Sequence, residues 1–86
     1  MRPFQYRKKP VVVEAMQFAD LDSGSALERW TDLRFMMDIA HRPLRARVLT
    51  PAGAVWAELG DFIIRGSRGE FYPCKPDIFR EIYERV

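Results

Sequence analysis

The chain has 86 residues, is 48% hydrophobic and 13% aromatic, and carries a formal net charge of +2. This length supports one domain, 1–86, because each of two domains would be too small to build a core without metals or disulfides. The composition excludes a disordered chain, the single cysteine, Cys74, excludes a disulfide scaffold, and no apolar run reaches the roughly 18 residues of a membrane-spanning helix. We therefore expect a cytoplasmic domain without a membrane segment.

The first predicted segment, residues 1–9, is a basic N-terminal arm. An acidic stretch, residues 11–40, separates it from a second basic cluster. The basic residues of the two clusters are Arg2, Arg7, Lys8 and Lys9 in the arm, and Arg42, Arg45 and Arg47 later in the chain. Two such clusters would attract anions if they met in space, and would otherwise be solvated surface.

The segment Pro10–Phe18 is β-branched and apolar on both alternating faces, which predicts a central strand covered on both sides. Pro10 suits its beginning, where a missing N–H is tolerated. Glu14 interrupts the valines, so the segment does not resemble a signal-peptide core.

A helix is predicted to begin at Ala26, because Ser25 and Glu28 have the spacing of a capping box. The apolar period that follows would allow a helix continuing through residues 33–39. The alternative is a short strand at 33–37 after a helix that ends near Thr31. Periodicity does not decide between the two, and we favour the shorter helix.

The second half of the chain predicts antiparallel strands joined by tight turns. The strands are 46–50, 54–59, 62–65 and 70–74. Pro76 and Asp77 then fit the first turn of a C-terminal helix, whose apolar stripe is Ile78, Phe79, Ile82, Tyr83 and Val86. We therefore predict an α+β fold: an antiparallel-rich sheet with a meander, one helix after the first strand and a short C-terminal helix, in which the strands of residues 10–18 and 60–79 share one sheet.

Catalytic and metal-binding chemistry find little support in the sequence. Cys74 with His41 as its base has no local signature of a thiol enzyme, and a cysteine late in an aromatic strand is more often a core residue. One histidine and one cysteine do not supply the three or four ligands that a metal needs. We expect neither an enzyme nor a metal or cofactor.

Several polar and aromatic residues are candidates for binding a ligand. Arg65 and Arg68 flank the glycine turn 66–69, whose N–H groups and guanidinium groups together suit an anion. Tyr72, Lys75 and Asp77 surround two prolines that mark an edge or a corner, and Trp56 offers a stacking surface nearby. The predicted ligand-binding residues are Trp56, Asp61, Arg65, Arg68, Tyr72, Lys75 and Asp77.

Nucleic-acid binding is the alternative, because basic residues interleaved with Phe4 and Tyr6 suit phosphates and bases. Its candidate residues are Arg7, Lys8, Lys9, Arg45 and Arg47. The nearly balanced total charge and the lack of a known nucleic-acid motif count against it.

Two stretches together resemble a family of small bacteriophage and prophage proteins, many from actinobacterial hosts. They are YRKKPVVVEAMQF at residues 6–18 and GDFIIRGSRGEFYPCKPDIF at residues 60–79. The resemblance implies a phage origin, a shared fold and a location in the cytoplasm of an infected host, and it implies no reaction. The expected function is that of a non-enzymatic phage accessory protein, a homo-oligomer that binds a host protein or a small anionic ligand.

Overall fold

The computed structural model describes residues 2–86, and the chain forms six strands and two helices over this range. Their bounds are β1 Glu14–Gln17, α1 Leu21–Trp30, β2 Phe35–Asp38, β3 Arg45–Thr50, β4 Gly53–Glu58, β5 Phe62–Arg65, β6 Phe71–Cys74 and α2 Pro76–Ile82. The α+β class is confirmed, with a helix after the first strand, a short helix at the C-terminus and antiparallel pairing throughout.

The strands form two three-stranded sheets. Sheet A has the order β1-β5-β6, and sheet B is the meander β2-β3-β4. The prediction that the two ends of the chain share one sheet is confirmed, because Glu14 to Gln17 pair with Arg65 to Phe62. The four strands of residues 45–74 are divided between the two sheets: β3 and β4 belong to sheet B, and β5 and β6 belong to sheet A. The chain passes from sheet B to sheet A through a turn in which Gly60 has φ +98°. That backbone conformation favours glycine.

The core lies between the two sheets and α1. Phe18, Leu27 and Phe35 are fully buried there, and the rings of Phe18 and Phe35 meet edge to face at 5.0 Å. Ala46, Val48, Ala57, Ile63 and Phe71 complete the core. α1 approaches β2 so closely that a Cβ on Gly24 would overlap the end of the Met37 side chain, which would have to move aside.

The prediction of a central strand over residues 10–18 is wrong in extent and position. β1 covers only Glu14–Gln17 and lies at the edge of sheet A. Its partner β5 ends at Arg65, opposite Glu14, and the chain then turns away at Gly66, so Pro10 to Val13 have no neighbouring strand within residues 2–86. Val11 and Val12 are 54% and 78% exposed as a result.

The predicted start of α1 at Ala26 is also wrong. The helix begins at Leu21, and its cap is Asp20, whose carboxylate accepts from the Ser23 N–H at 2.8 Å while the Ser23 hydroxyl accepts from the Asp20 N–H at 2.9 Å. This capping box precedes the one predicted from Ser25 and Glu28. The Glu28 carboxylate instead accepts from the Met37 N–H at 3.0 Å, so it holds β2 against α1.

Residues 35–38 form a strand, which agrees with the favoured shorter helix and not with a helix continuing through 33–39. Thr31 ends α1, because its buried hydroxyl donates to the Leu27 carbonyl and accepts from the Phe35 N–H. Asp32 and Leu33 then adopt positive φ values of 52° and 64°, which a continuing right-handed helix excludes. The prediction of a short strand after a helix ending near Thr31 is therefore confirmed.

α2 begins at Pro76 as predicted and attaches to the outer face of sheet A. The Phe79 ring stacks on Phe62 at 4.0 Å and on Tyr83 at 5.0 Å. The rest of the predicted apolar stripe remains largely uncovered, since Ile78, Ile82 and Val86 are 45%, 57% and 98% exposed.

Candidate functional site

The predicted ligand-binding residues lie in several separate places. Trp56 is in sheet B. Asp61 and Lys75 lie where the two sheets join, and Asp77 is in the first turn of α2. Arg65 and Tyr72 are in sheet A, and Arg68 is in the turn between β5 and β6. The structure therefore does not assemble this set into a single site.

Asp61, Lys75 and Glu58 form an ion cluster that joins the two sheets, and we call it the sheet junction. The Asp61 side chain is 4% exposed, accepts from the Glu58 N–H at 2.9 Å and lies 3.1 Å from the Lys75 ammonium. Lys75 also contacts Glu58 at 3.3 Å. Because Glu58 ends β4 and Lys75 follows β6, the cluster links the two sheets by hydrogen bonds that occupy the polar atoms of Asp61.

The electrostatics of the junction favour a charged Lys75. Partial burial lowers the pKa of Lys75, but the hydrogen bond and charge of Asp61, supported by Glu58, outweigh burial and raise the pKa. The ammonium is thus matched by carboxylates of the protein itself. These contacts give the sheet junction a structural role at the corner where the two sheets and α2 meet.

The glycine turn 66–69, predicted to hold an anion, already contains one. The Glu70 carboxylate accepts from the Arg68 N–H at 3.0 Å, and it lies so close to Gly66 that a Cβ there would overlap the same carboxylate oxygen. Arg65 contacts Glu14 across the strands at 3.5 Å. An external anion would therefore have to displace the carboxylate of Glu70.

Tyr72 faces an open groove of about 1140 Å³ on the outer side of sheet A. Its walls are residues 8–13, the hairpin turn, α2 and the C-terminal residues. Burial and a hydrogen bond with Tyr83 raise the pKa of Tyr72 to about 12. The phenol is therefore neutral at physiological pH and contributes to the attachment of α2.

Cys74 and His41 form hydrogen bonds with different backbone carbonyls and not with each other. The Cys74 thiol donates to the Lys75 carbonyl at 3.6 Å, and the His41 ring contacts the Pro43 carbonyl at 2.8 Å. Burial, followed by the negative charges of Asp61 and Asp77, raises the pKa of Cys74. A raised pKa disfavours the thiolate that nucleophilic catalysis requires.

The outer face of sheet B brings together residues from both predicted sets. Along β3, buried Ala46 and Val48 alternate with Arg45, Arg47 and Leu49, which therefore point away from the core. Arg47 lies opposite Met36 on one side and Trp56 on the other. We call Met36, Arg45, Arg47, Leu49 and Trp56 the Trp56 surface.

The Trp56 surface holds its tryptophan in a fixed position. The Arg45 guanidinium lies 3.7 Å from the ring centroid of Trp56, and the Arg47 guanidinium lies 5.4 Å from it. Asp38 fixes Arg45 from the other side at 3.1 Å. Such cation–π contacts orient the aromatic ring without burying it, and Trp56, Met36 and Leu49 remain 46%, 52% and 50% exposed.

A cleft of about 350 Å³ borders the Trp56 surface. Its walls are the loop His41–Leu44, the Arg45 and Trp56 side chains, and the end of β4 at Glu58 and Leu59. The cleft is large enough for one or two side chains, and Arg45 gives it a cation beside the aromatic ring.

Sequence reasoning missed Met36 and Leu49 as members of this surface. The possible strand at 33–37 includes Met36, but the sequence does not identify its pairing partner, and the register that places Met36 opposite Arg47 is seen only in the structure. Phe35, Met36 and Met37 are consecutive apolar residues, so the sequence contains no alternation that would mark Met36 as the exposed one. Lys8 and Lys9, by contrast, line the groove on sheet A, so the arm and the Arg45–Arg47 cluster belong to different surfaces.

Between Arg2 and Val86, no group of three His, Cys, Asp or Glu residues is arranged to hold a metal ion. Over the same stretch neither helix has the length and apolarity needed to cross a bilayer.

Comparison with known proteins gives no match: no family model, curated protein or solved structure is significantly similar to the chain. The function is therefore argued from the surfaces of the molecule.

Proposed function

We propose that this chain is a non-enzymatic phage accessory protein that binds a host protein through the Trp56 surface. The observation that carries the proposal is the exposed Trp56 ring held by Arg45 and Arg47 on an otherwise regular sheet. Tryptophan and arginine dominate the residues whose loss most weakens protein–protein complexes. A ring that is already oriented loses little side-chain entropy on binding, which favours affinity.

The partner's contact segment is expected to combine an apolar side chain with an acidic one. Met36 and Leu49 supply exposed apolar area on either side of Arg47. Arg47 has no carboxylate within ion-pair distance among the described residues, so its guanidinium is available to a partner's carboxylate. The neighbouring cleft offers a place for the apolar anchor.

A protein partner fits this face better than nucleic acid does. Asp38 and Glu58 lie in the same cross-strand row as Arg45, and these carboxylates would repel a phosphate backbone. Arg45 also covers one face of the Trp56 ring at 3.7 Å, which leaves less of that ring for stacking a base.

The phage origin and the host cytoplasm are part of the same proposal. The two stretches that resemble phage proteins support the origin. The single cysteine, whose raised pKa makes it a poor nucleophile, agrees with a reducing compartment and with a role in binding.

The test is an affinity capture from a lysate of an actinobacterial host, followed by binding measurements on the protein captured. We expect Trp56→Ala to weaken binding at least roughly 30-fold, the effect of losing a central tryptophan, and Arg47→Glu to abolish capture. Arg68→Glu is the matched control, because Arg68 is an exposed arginine in the hairpin turn of sheet A.

Capture that survives nuclease treatment and high salt supports a protein partner. Loss of capture after nuclease treatment would favour the nucleic-acid alternative through Arg7, Lys8, Lys9, Arg45 and Arg47. Equal capture by wild type and Trp56→Ala would reject the Trp56 surface.

A further inference from the structure

The outer edge of β1 is open. β1 pairs only with β5, and no strand within residues 2–86 lies on its other side. The Phe18 N–H donates to Asp61 at 2.8 Å and the Phe18 carbonyl accepts from Gly60 at 2.7 Å, so the backbone of Phe18 faces β5. Because backbone groups alternate in direction along a strand, those of Ala15 and Gln17 point to the open edge.

The residues that precede β1 have the composition of a covered strand but not its environment. Val11, Val12 and Val13 are β-branched, which favours a strand. Val11 and Val12 are nevertheless mostly exposed. An apolar strand edge of this kind is a template for pairing with another chain.

We propose that the β1 edges of two copies pair antiparallel about a two-fold axis at Val11, which joins the two A sheets into one six-stranded sheet. Residues 6–13 then extend β1 and lie along the other copy. The proposal concerns a different surface from Trp56 and does not depend on the partner-binding function.

Hydrogen-bond direction restricts the register. Alternation places the backbone groups of Val11 and Val13 on the same side as those of Ala15, toward the open edge. If the two-fold axis passes through a residue, each residue whose backbone groups point to the open edge lies opposite another such residue of the second copy. If the axis passes between two residues, each lies opposite a residue whose backbone groups point away. With the axis at Val11, Pro10 falls where no hydrogen bond to the other copy is needed, so its missing N–H costs nothing.

Charge complementarity selects Val11 over the neighbouring axis. An axis at Val11 places Lys8 of one copy directly opposite Glu14 of the other, twice by symmetry. An axis at Val12 would place Pro10 opposite Glu14 instead. Glu14 is 69% exposed, so it can contact Lys8 while it keeps its contact with Arg65.

The most direct test is a disulfide at the two-fold axis, in a Cys74→Ala background that leaves a single thiol. Opposed residues of a hydrogen-bonded antiparallel pair have Cα atoms about 5.5 Å apart, within the roughly 4.4–6.8 Å that a disulfide spans. Val11→Cys is therefore expected to form a covalent dimer on mild oxidation. Val12→Cys is the control, because two such residues would lie about 8 Å apart from strand spacing.

An independent test combines reversal of the charges at Lys8 and Glu14 with measurement of the molecular mass in solution. We expect sedimentation at high micromolar concentration to show a dimer, Lys8→Glu or Glu14→Lys alone to weaken it, and the double variant to restore it. A monomer at that concentration would overturn the proposal. So would equal oxidation of the Val11→Cys and Val12→Cys variants, or a dimer in which the double variant is as weak as the single ones.

Discussion

At the scale of single residues, Asp61 decides how the two sheets are held together. Its carboxylate accepts hydrogen bonds from both the Glu58 N–H and the Lys75 ammonium, and it is almost completely buried. Lys75, in contrast, is half exposed. The two members of the same ion pair therefore differ in what their removal leaves unsatisfied.

We predict that Asp61→Ala lowers the free energy of unfolding by about 2–3 kcal/mol, because the Glu58 N–H and the Lys75 ammonium both lose a charged acceptor. Lys75→Ala is expected to cost less than Asp61→Ala, because the half-exposed ammonium leaves a space that water can enter to solvate the Asp61 carboxylate, which keeps its hydrogen bond from the Glu58 N–H. Urea unfolding of both variants measures the difference. A Lys75→Ala variant less stable than Asp61→Ala would show that the junction is not organised around Asp61.

Tyr72 gives a second prediction at this scale. Burial and then the Tyr83 hydrogen bond raise the pKa of Tyr72 to about 12, from a usual value of 10.0. A raised pKa favours the neutral phenol in the folded state, so its contribution to stability is complete below pH 10 and is lost as the pH rises toward 12.

We expect Tyr83→Phe to move the titration of Tyr72 downward, because the variant removes the hydrogen bond and leaves burial in place. Ultraviolet titration of the phenolate, with Tyr6→Phe as the exposed control, measures the shift. An unchanged titration would mean that Tyr83 does not set the protonation of Tyr72.

At the scale of elements, the error at the start of α1 has a tertiary source. Asp20 and Ser25 are both acceptable caps by residue type, and the sequence contains no local feature that ranks them. Glu28 decides the matter through a contact nine residues away, since it accepts from the Met37 N–H of β2. A tertiary hydrogen bond of this kind is invisible to periodicity.

Replacement of the cap tests this assignment. We predict that Asp20→Ala lowers the urea midpoint of unfolding, whereas Ser25→Ala leaves it nearly unchanged, because the Ser23 N–H loses its acceptor only in the first variant. Hydrogen bonds from the Ser23 backbone and then its side chain lower the pKa of Asp20 below 3.8.

The contribution of this cap should therefore be present above pH 3.8 and disappear as the pH falls through the lowered pKa. The two midpoints are expected to converge at low pH. A larger effect of Ser25→Ala at neutral pH would restore the cap predicted from Ser25 and Glu28.

At the scale of the whole molecule, local patterns predicted the fold class, the hairpin strands and the start of α2 at Pro76. They could not show that the chain changes sheets at Gly60, because a turn within a meander and a turn between sheets use the same residues. Because the chain changes sheets there, Trp56 and Tyr72 lie on different sheets, and the predicted ligand-binding residues do not form one site. The Trp56 surface itself arises from cross-strand register, which fixes Arg47 between Met36 and Trp56.

The two proposed recognition surfaces, the Trp56 surface and the open edge of β1, lie on different sheets. A dimer through β1 would carry two Trp56 surfaces. Linked sites raise the apparent affinity for a partner that both can reach at once. Partner binding and self-association are separable, because no residue is shared between the two.

Site-specific photo-crosslinking in host cells tests the central claim most directly, since it identifies the surface in contact with a partner. A photoreactive residue at Leu49, which is 50% exposed on the Trp56 surface, is expected to give a discrete adduct with one host protein. The same residue at Ile82, which is 57% exposed in the groove on sheet A, should not give that adduct. An adduct from Ile82 with none from Leu49 would contradict the account and assign binding to the groove.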